Sequence, residues 1–434
     1  MSSDSPDHPE NDPDDGRPDP QNPFAGTPME QMFAQFGGGS MPDLSQLMGQ
    51  MQKMFAPHEG SVNFDVAKDV ARRTVAAEGP DPSPSATESG AVADAVRLAE
   101  AWLDRATEIP VGATTSVAWS RAEWIEHTAG TWSGLVEPIA QHVTAAMGDA
   151  MPEEVKAMAG PLLGMLTQAG GALFGQQVGQ ALGTLSTEVL SSTDIGLPLG
   201  PARTVAVLPH NLRAFGDGLE VSAADVMLHV VLRECAHHRL FHHAPWLAGA
   251  LTSVIEEFGR GTRIDLSAIE SRLGSLDPTQ PDQIAEAMSS GMFEPEPTPE
   301  QQQALQRLEL LLALIEGWVD DVVTRATADT MPTAAPLAEA MRRRRATGGP
   351  AEQTFASLVG LELRPRRLRD ASNLWAAVRT QHDAAARDRV WSHPDLLPTT
   401  ADLDDPLGFS ERLGAASTDD FDAELDRLLD DESE

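Results

Sequence analysis

From Val62 to Pro398 apolar residues return at intervals of three and four, the period that lines one face of an α-helix. This pattern predicts helices over Asp65–Ala77, Ala91–Ala106, Ser120–Ala129, Leu135–Met147, Glu153–Gln168 and Ala172–Leu190. It resumes over Ala223–His242, Trp246–Phe258, Leu266–Leu273, Gln283–Ser289 and Pro299–Ala328. Pro336–Arg345, Glu352–Leu358 and Arg367–Arg387 complete the set. One short stretch departs from the helical period. Thr204–Leu208 (TVAVL) is β-branched and is followed by Pro209, so it reads as a strand. Helix dominance of this degree argues against a doubly wound α/β fold. It predicts a mainly α body with at most a small β element.

Both ends break the pattern. Residues 1–60 are rich in Pro, Asp, Gly, Gln and Met and predict a disordered acidic region. Two short amphipathic pieces sit inside it, around Met29–Phe36 and Leu44–Phe55. Residues 61–398 form the predicted helical domain. Residues 399–434 read as an acidic tail, with Phe421, Leu425, Leu428 and Leu429 on one short apolar face. Within the body, Gly171, Gly175, Gly179 and Gly183 recur every fourth residue. On a helix they make one smooth ridge. Glycine weakens a helix, so the ridge predicts close approach of a second helix.

The chain's 434 residues carry a formal net charge of −35. Phosphate backbones and anionic lipid surfaces both require clustered cations, so nucleic acid and membrane are not expected partners. The expected partner is an unknown protein or peptide. The single cysteine, Cys235, permits no intrachain disulfide. The first residues, MSSDSPDHPENDPDD, lack the basic flank and apolar run of a signal peptide. Gln168, Gln176, Gln177 and Gln180 interrupt the most apolar helix, which therefore reads as buried rather than membrane-spanning. These features together predict a cytoplasmic protein. Arg342–Arg345 and then Arg364, Arg366, Arg367 and Arg369 form a basic run. In so acidic a chain they are expected to pair with carboxylates or sit solvated near a helix C-terminus, with an anion site as the alternative.

Candidate chemistry concentrates on the helix that Ser222 caps. Arg233, Glu234 and His237 fall on or beside its apolar arc of Val226, Val230, Leu240 and Phe241. Buried polar groups need partners, so these three mark a site. Their spacing is one residue away from H-E-x-x-H, in which two histidines a turn apart grip zinc and the glutamate activates water. Arg233 replaces the first histidine, and a guanidinium has no lone pair for a metal. His229 lies too far along the helix to share an ion with His237. His238 and His242 have chelating spacing but are expected to point away from the Glu234–His237 edge. On the helix Pro299–Ala328, Glu316 borders the apolar arc and Asp320 lies one turn on. E-x-x-x-D on a second helix is a common source of a third zinc ligand and its outer partner.

The chain resembles the actinobacterial zinc-dependent metalloprotease and hydrolase family of zincin type, in a branch with R-E-x-x-H in place of H-E-x-x-H. The segments that carry the resemblance are SVAWSRAEWIEHTAGTW, VGQALGTLSTEVL, LRECAHHRLFHHAPWL, LLLALIEGWVDDVV, GGPAEQTFASLVGLELRPRRLRDASNLW and WSHPDLLP. The resemblance implies a zincin-like helical domain and zinc as cofactor. By position it makes Glu234 the general base, His237 a zinc ligand, Glu316 a third ligand and Asp320 its outer partner. Two functions follow. One is a zinc peptidase-like hydrolase with a degenerate zinc helix. The other is a non-catalytic zincin-like binding or scaffold protein, in which Arg233 replaces the metal's charge and pairs with Glu316 or Glu234. A metal-free hydrolase is disfavoured. Cys235 and His237 point to different sides of a helix, and G-x-S-x-G is absent.

Overall fold

The computed structural model describes residues 58, 60–149, 160–261, 298–347 and 366–415. The helices expected at Leu266–Leu273, Gln283–Ser289 and Glu352–Leu358 lie outside them. So do Arg364, both amphipathic N-terminal pieces and the apolar face of the C-terminal tail. The chain order is α1 (Phe64–Glu78), α2 (Ala86–Leu103), β1 (Thr115–Ala118), α3 (Arg121–Asp149), α4 (Gly160–Glu188), β2 (Thr204–Val207), α5 (Pro209–Gly216) and α6 (Ala223–His243). Then follow α7 (Trp246–Arg260), α8 (Pro299–Thr327), α9 (Ala334–Thr347), α10 (Leu368–Gln381), α11 (Ala384–Arg389) and α12 (Thr400–Asp404). The fold is mainly α, and the small β element is a parallel pair that sets Thr115 opposite Thr204 and Ala118 opposite Val207. Among the described residues no helix is long and apolar enough to cross a membrane.

The departures from the sequence expectation have local causes. Helix α2 starts earlier because Ser85 and Glu88 form a capping box ahead of the apolar pattern. One helix, α3, stands where two were expected. Trp124, Ile125, Trp132, Val136 and Ile139 keep a single buried face running past Gly130 and Gly134. From Gly160 on, the piece expected at Glu153–Gln168 joins the one at Ala172–Leu190 in α4, and 153–159 lie outside the described residues. Conversely, the helix expected over Arg367–Arg387 breaks in two. His382 ends α10, and the Asp383 side chain accepts from the Ala386 N–H to start α11. Strand β1 and helix α5 were not foreseen, being four and eight residues long.

The glycine ridge of α4 packs on α1. A Cβ on Gly175 would stand 2.4 Å from the Asn63 carbonyl oxygen, and one on Gly179 would stand 2.4 Å from that of Ala67. The expected close approach is therefore backbone to side-chain-free backbone.

Two helices, α6 and α8, run through the interior. Residues 229–240 of α6 and 312–323 of α8 are buried on every side. Burial all round marks a central helix rather than a surface one. Helix α6 packs against α2, α8 and β2, while α8 also meets α7 and α10. Helix α9 lies against both α6 and α8. The segment after α4 is buried as well. Its backbone joins β2 through Ser192 N–H to Ala206 O and Leu208 N–H to Leu190 O.

Candidate functional site

Side chains from α6, α8 and α9 meet at Glu316, with the backbone of the 191–199 loop over them. This carboxylate is completely buried. Arg233 Nη2 donates a hydrogen bond to Glu316 Oε2. His237 Nε2 lies 3.2 Å from Oε1. Arg345 Nη2 stands 3.7 Å from the same oxygen, an ion pair beyond hydrogen-bond reach. Gly196 covers the group: a Cβ there would lie 3.3 Å from Oε1 and 3.6 Å from Arg345 Nη2. Burial alone would raise the carboxyl's pKa. Arg345 and Arg233, with His237, outweigh it and hold Glu316 well below the usual carboxylate range.

His237 is oriented by its own helix. Its Nδ1 lies 2.9 Å from the Arg233 carbonyl oxygen, one turn back. A carbonyl only accepts, so Nδ1 carries the proton. Nε2 is thereby turned to Glu316, and Phe241 stacks on the ring's other side.

Glu234 faces elsewhere. Its carboxylate accepts from the hydroxyls of Ser192 and Thr193 and from the Thr193 N–H at 3.1 Å. His238 Nε2 lies 3.3 Å from its Oε1. Residues 234 and 238 are one turn apart, so His238 shares the Glu234 side and does not point away from it. Burial raises this carboxyl, but His238 and the hydroxyls of Ser191 and Ser192 overcome burial and bring its pKa to about 2. The group stays charged, and three hydrogen bonds tie α6 to the 191–194 loop. A general base needs a free lone pair facing the reacting water. None of its partners belongs to the Glu316 cluster.

Asp320 accepts from Arg342 Nη1 at 3.1 Å and from the Ser372 hydroxyl at 2.8 Å. It is thus an ion-pair partner, and among the described residues its hydrogen bonds go to Arg342 and Ser372, not to Arg233 or His237. Arg343 pairs with Glu339 and Arg344 with Asp194. The arginine run therefore meets carboxylates, as its setting in an acidic chain led us to expect.

The family that the sequence resembles implies zinc, and the donor set decides whether the residues suit it. His237 and Glu316 are two donors. Among the described residues no cluster of three His, Cys, Asp or Glu side chains is placed to hold a metal ion. Catalytic zinc takes three protein ligands. Here two guanidinium groups occupy the surroundings of the one carboxylate. The described residues do not fit zinc.

Residues 62–409 match the family of zincin-like metallopeptidases. The chain belongs to that family. A solved structure from Chloroflexus aurantiacus, described as a "putative hydrolase with a novel fold", is similar in fold. It has a TM-score of 0.58 at 20% identity, and the match covers 81% of this chain and 99% of that one. No curated protein matches. Within this zincin-like chain, sequence reasoning found Arg233, His237 and Glu316 but missed the covering loop. Ser192, Thr193 and Gly196 belong to no motif, and their partners lie over forty residues away in the chain or more.

His229 gives the site a pH signature. It is 2% exposed, and neither ring nitrogen has a hydrogen-bond partner. Burial, with Arg233 and Arg342 nearby, pushes its pKa from 6.5 down to about 3. Below pH 6.5 the unfolded chain binds a proton that the folded chain refuses, so stability falls as pH falls across that window. Glu234, depressed to about 2, extends the loss below its ordinary 4.5. His229→Leu removes the first slope and buries no orphaned polar atom. Urea unfolding at about pH 7, 6 and 5 is expected to show a steep decline in the natural chain and a shallow one in the variant. Equal slopes would mean that His229 titrates normally in the folded protein.

Proposed function

We propose that this zincin-like chain is a metal-free binding protein, in which the Arg233 guanidinium supplies the positive charge a zinc ion supplies in a working metallopeptidase. The observation that carries the reading is the buried hydrogen bond from Arg233 to Glu316, beside His237. The ligand position of the first histidine and the charge of the metal are both taken by one side chain. Glu234 is hydrogen-bonded to the 191–194 loop and directed away from the Glu316 cluster. The overall acidity favours a protein or peptide partner over nucleic acid.

A second reading, a zinc-dependent peptidase-like hydrolase, draws support from His237. Its Nδ1–H donates to a backbone carbonyl while Nε2 faces a carboxylate, the orientation metal-ligating histidines adopt. Elemental mass spectrometry on untagged full-length protein separates the two. The natural chain is expected to carry no stoichiometric zinc, and Arg233→His is expected to acquire it. Stoichiometric zinc in the natural chain, lost in Glu316→Ala, would establish the hydrolase reading instead.

A further inference from the structure

Each neighbour of Arg345 in the arginine run pairs with a carboxylate outside the Glu316 cluster. Arg342 takes Asp320, Arg343 takes Glu339 and Arg344 takes Asp194. Among the described residues Arg345 has only Glu316, already hydrogen-bonded to Arg233 and set at 3.7 Å. Its side chain is 4% exposed, so solvent does not compensate. Two buried guanidinium groups therefore share one carboxylate. Among the described residues the cluster lacks at least one negative charge. An uncompensated buried charge costs several kcal/mol.

The unmet demand has a direction. Arg345 Nε and Nη2 are both buried without a hydrogen-bond partner. These two nitrogens form the side-on edge of a guanidinium, whose parallel N–H groups match the two oxygens of a carboxylate. The nearby acceptors are taken. Asp194 serves Arg344 and the Leu190 N–H, Asp320 serves Arg342 and Ser372, and Glu234 serves Ser192 and Thr193. Beside Nη2 stands Gly196, at φ +82°, so no side chain is available there to supply an oxygen.

We propose that the Nε–Nη2 edge of Arg345 is the seat of a ligand carboxylate. One monoanion brings the buried count to two guanidinium groups and two carboxylates. Water would satisfy the N–H groups but leave the charge. The source is either a free small acid or the terminal carboxylate of a peptide. The inference rests on the reading that guanidinium, not zinc, neutralises Glu316.

The test uses the full-length, chelator-treated chain, with its zinc content measured separately. Sodium acetate is titrated against sodium chloride at constant ionic strength, while melting temperature and arginine Nε–H resonances are followed. Acetate is expected to raise the melting temperature saturably and to shift the Nε–H resonance that Arg345→Lys deletes. Arg345→Gln abolishes the response, Arg345→Lys weakens it about tenfold or more through loss of the fork, and Arg343→Gln retains it. Gly-Ala binding without binding of its C-terminal amide assigns the carboxylate to a peptide end. Binding of acetate but not Gly-Ala assigns it to a small acid. A response that chloride reproduces, or that survives Arg345→Gln, overturns the inference. Should Arg345→Gln not fold, an unmoved Nε–H resonance in the natural chain overturns it equally. Zinc in the natural chain would instead sink the metal-free reading, which this titration does not score.

Discussion

Glu316→Gln is expected to lower the free energy of unfolding by about 3–5 kcal/mol, although it changes one atom and little volume. The wild-type carboxylate is 0% exposed and answers to Arg233, Arg345 and His237 together. The amide keeps an acceptor for Arg233 but removes the negative charge. Two guanidinium groups then remain in the interior with nothing to offset them. The loss comes chiefly from stranded charge, not from the missing hydrogen bond, which alone is worth about 1 kcal/mol.

That distinction sets the decisive comparison. If stranded charge dominates, removing a guanidinium should restore stability. Arg233→Met combined with Glu316→Gln should therefore be less damaged than the sum of the single variants, by about 1–3 kcal/mol. Urea unfolding of the four chains closes the cycle. Strict additivity would show that Arg233 and Glu316 do not depend on one another, and the ion pair would lose its place at the centre of the site.

The part of this site that sequence made legible is the part that lies on regular helices. The apolar period of α6 and α8 is unbroken, so Arg233, His237 and Glu316 show up as polar residues on faces that must be buried. Periodicity says nothing about which residues meet across helices. It therefore left open whether Arg233 turns to Glu316 or to Glu234. The choice is made by the 191–199 loop, whose serine and threonine hydroxyls draw Glu234 away. No repeat or turn motif announces that loop. Arg345 shows the same limit. In sequence it is one of four equal arginines, and only the register of α9 against α8 singles it out as the one short of a partner. His238 was misplaced for a simpler reason. Its relation to Glu234 is a single helical turn, but histidines near a helix end read as solvent-facing, and here burial runs on through Leu240, leaving only His242 and His243 of the helix end exposed.

Gly179→Ala is expected to destabilise the protein by on the order of 3 kcal/mol, the reverse of alanine's usual effect in a helix. An added Cβ would stand 2.4 Å from the Ala67 carbonyl oxygen, 2.9 Å from its Cα and 2.7 Å from Val70 Cβ. Two of these atoms are backbone, so no rotamer change relieves the clash and α1 must move off α4. The same substitution on α3 provides the control. At Gly130 and Gly134, both exposed, an added Cβ meets nothing within 4 Å. Alanine there should stabilise by about 0.5–1 kcal/mol through propensity alone. Gly183→Ala should fall between the two, since its nearest contact at 2.6 Å is the Thr74 side chain, with the Ala71 carbonyl oxygen at 2.9 Å. Thermal unfolding of the three classes of variant ranks them directly. A ridge that tolerated Gly179→Ala as readily as Gly130→Ala would mean that α1 is not held at backbone contact. The spacing of those four glycines would then need another cause.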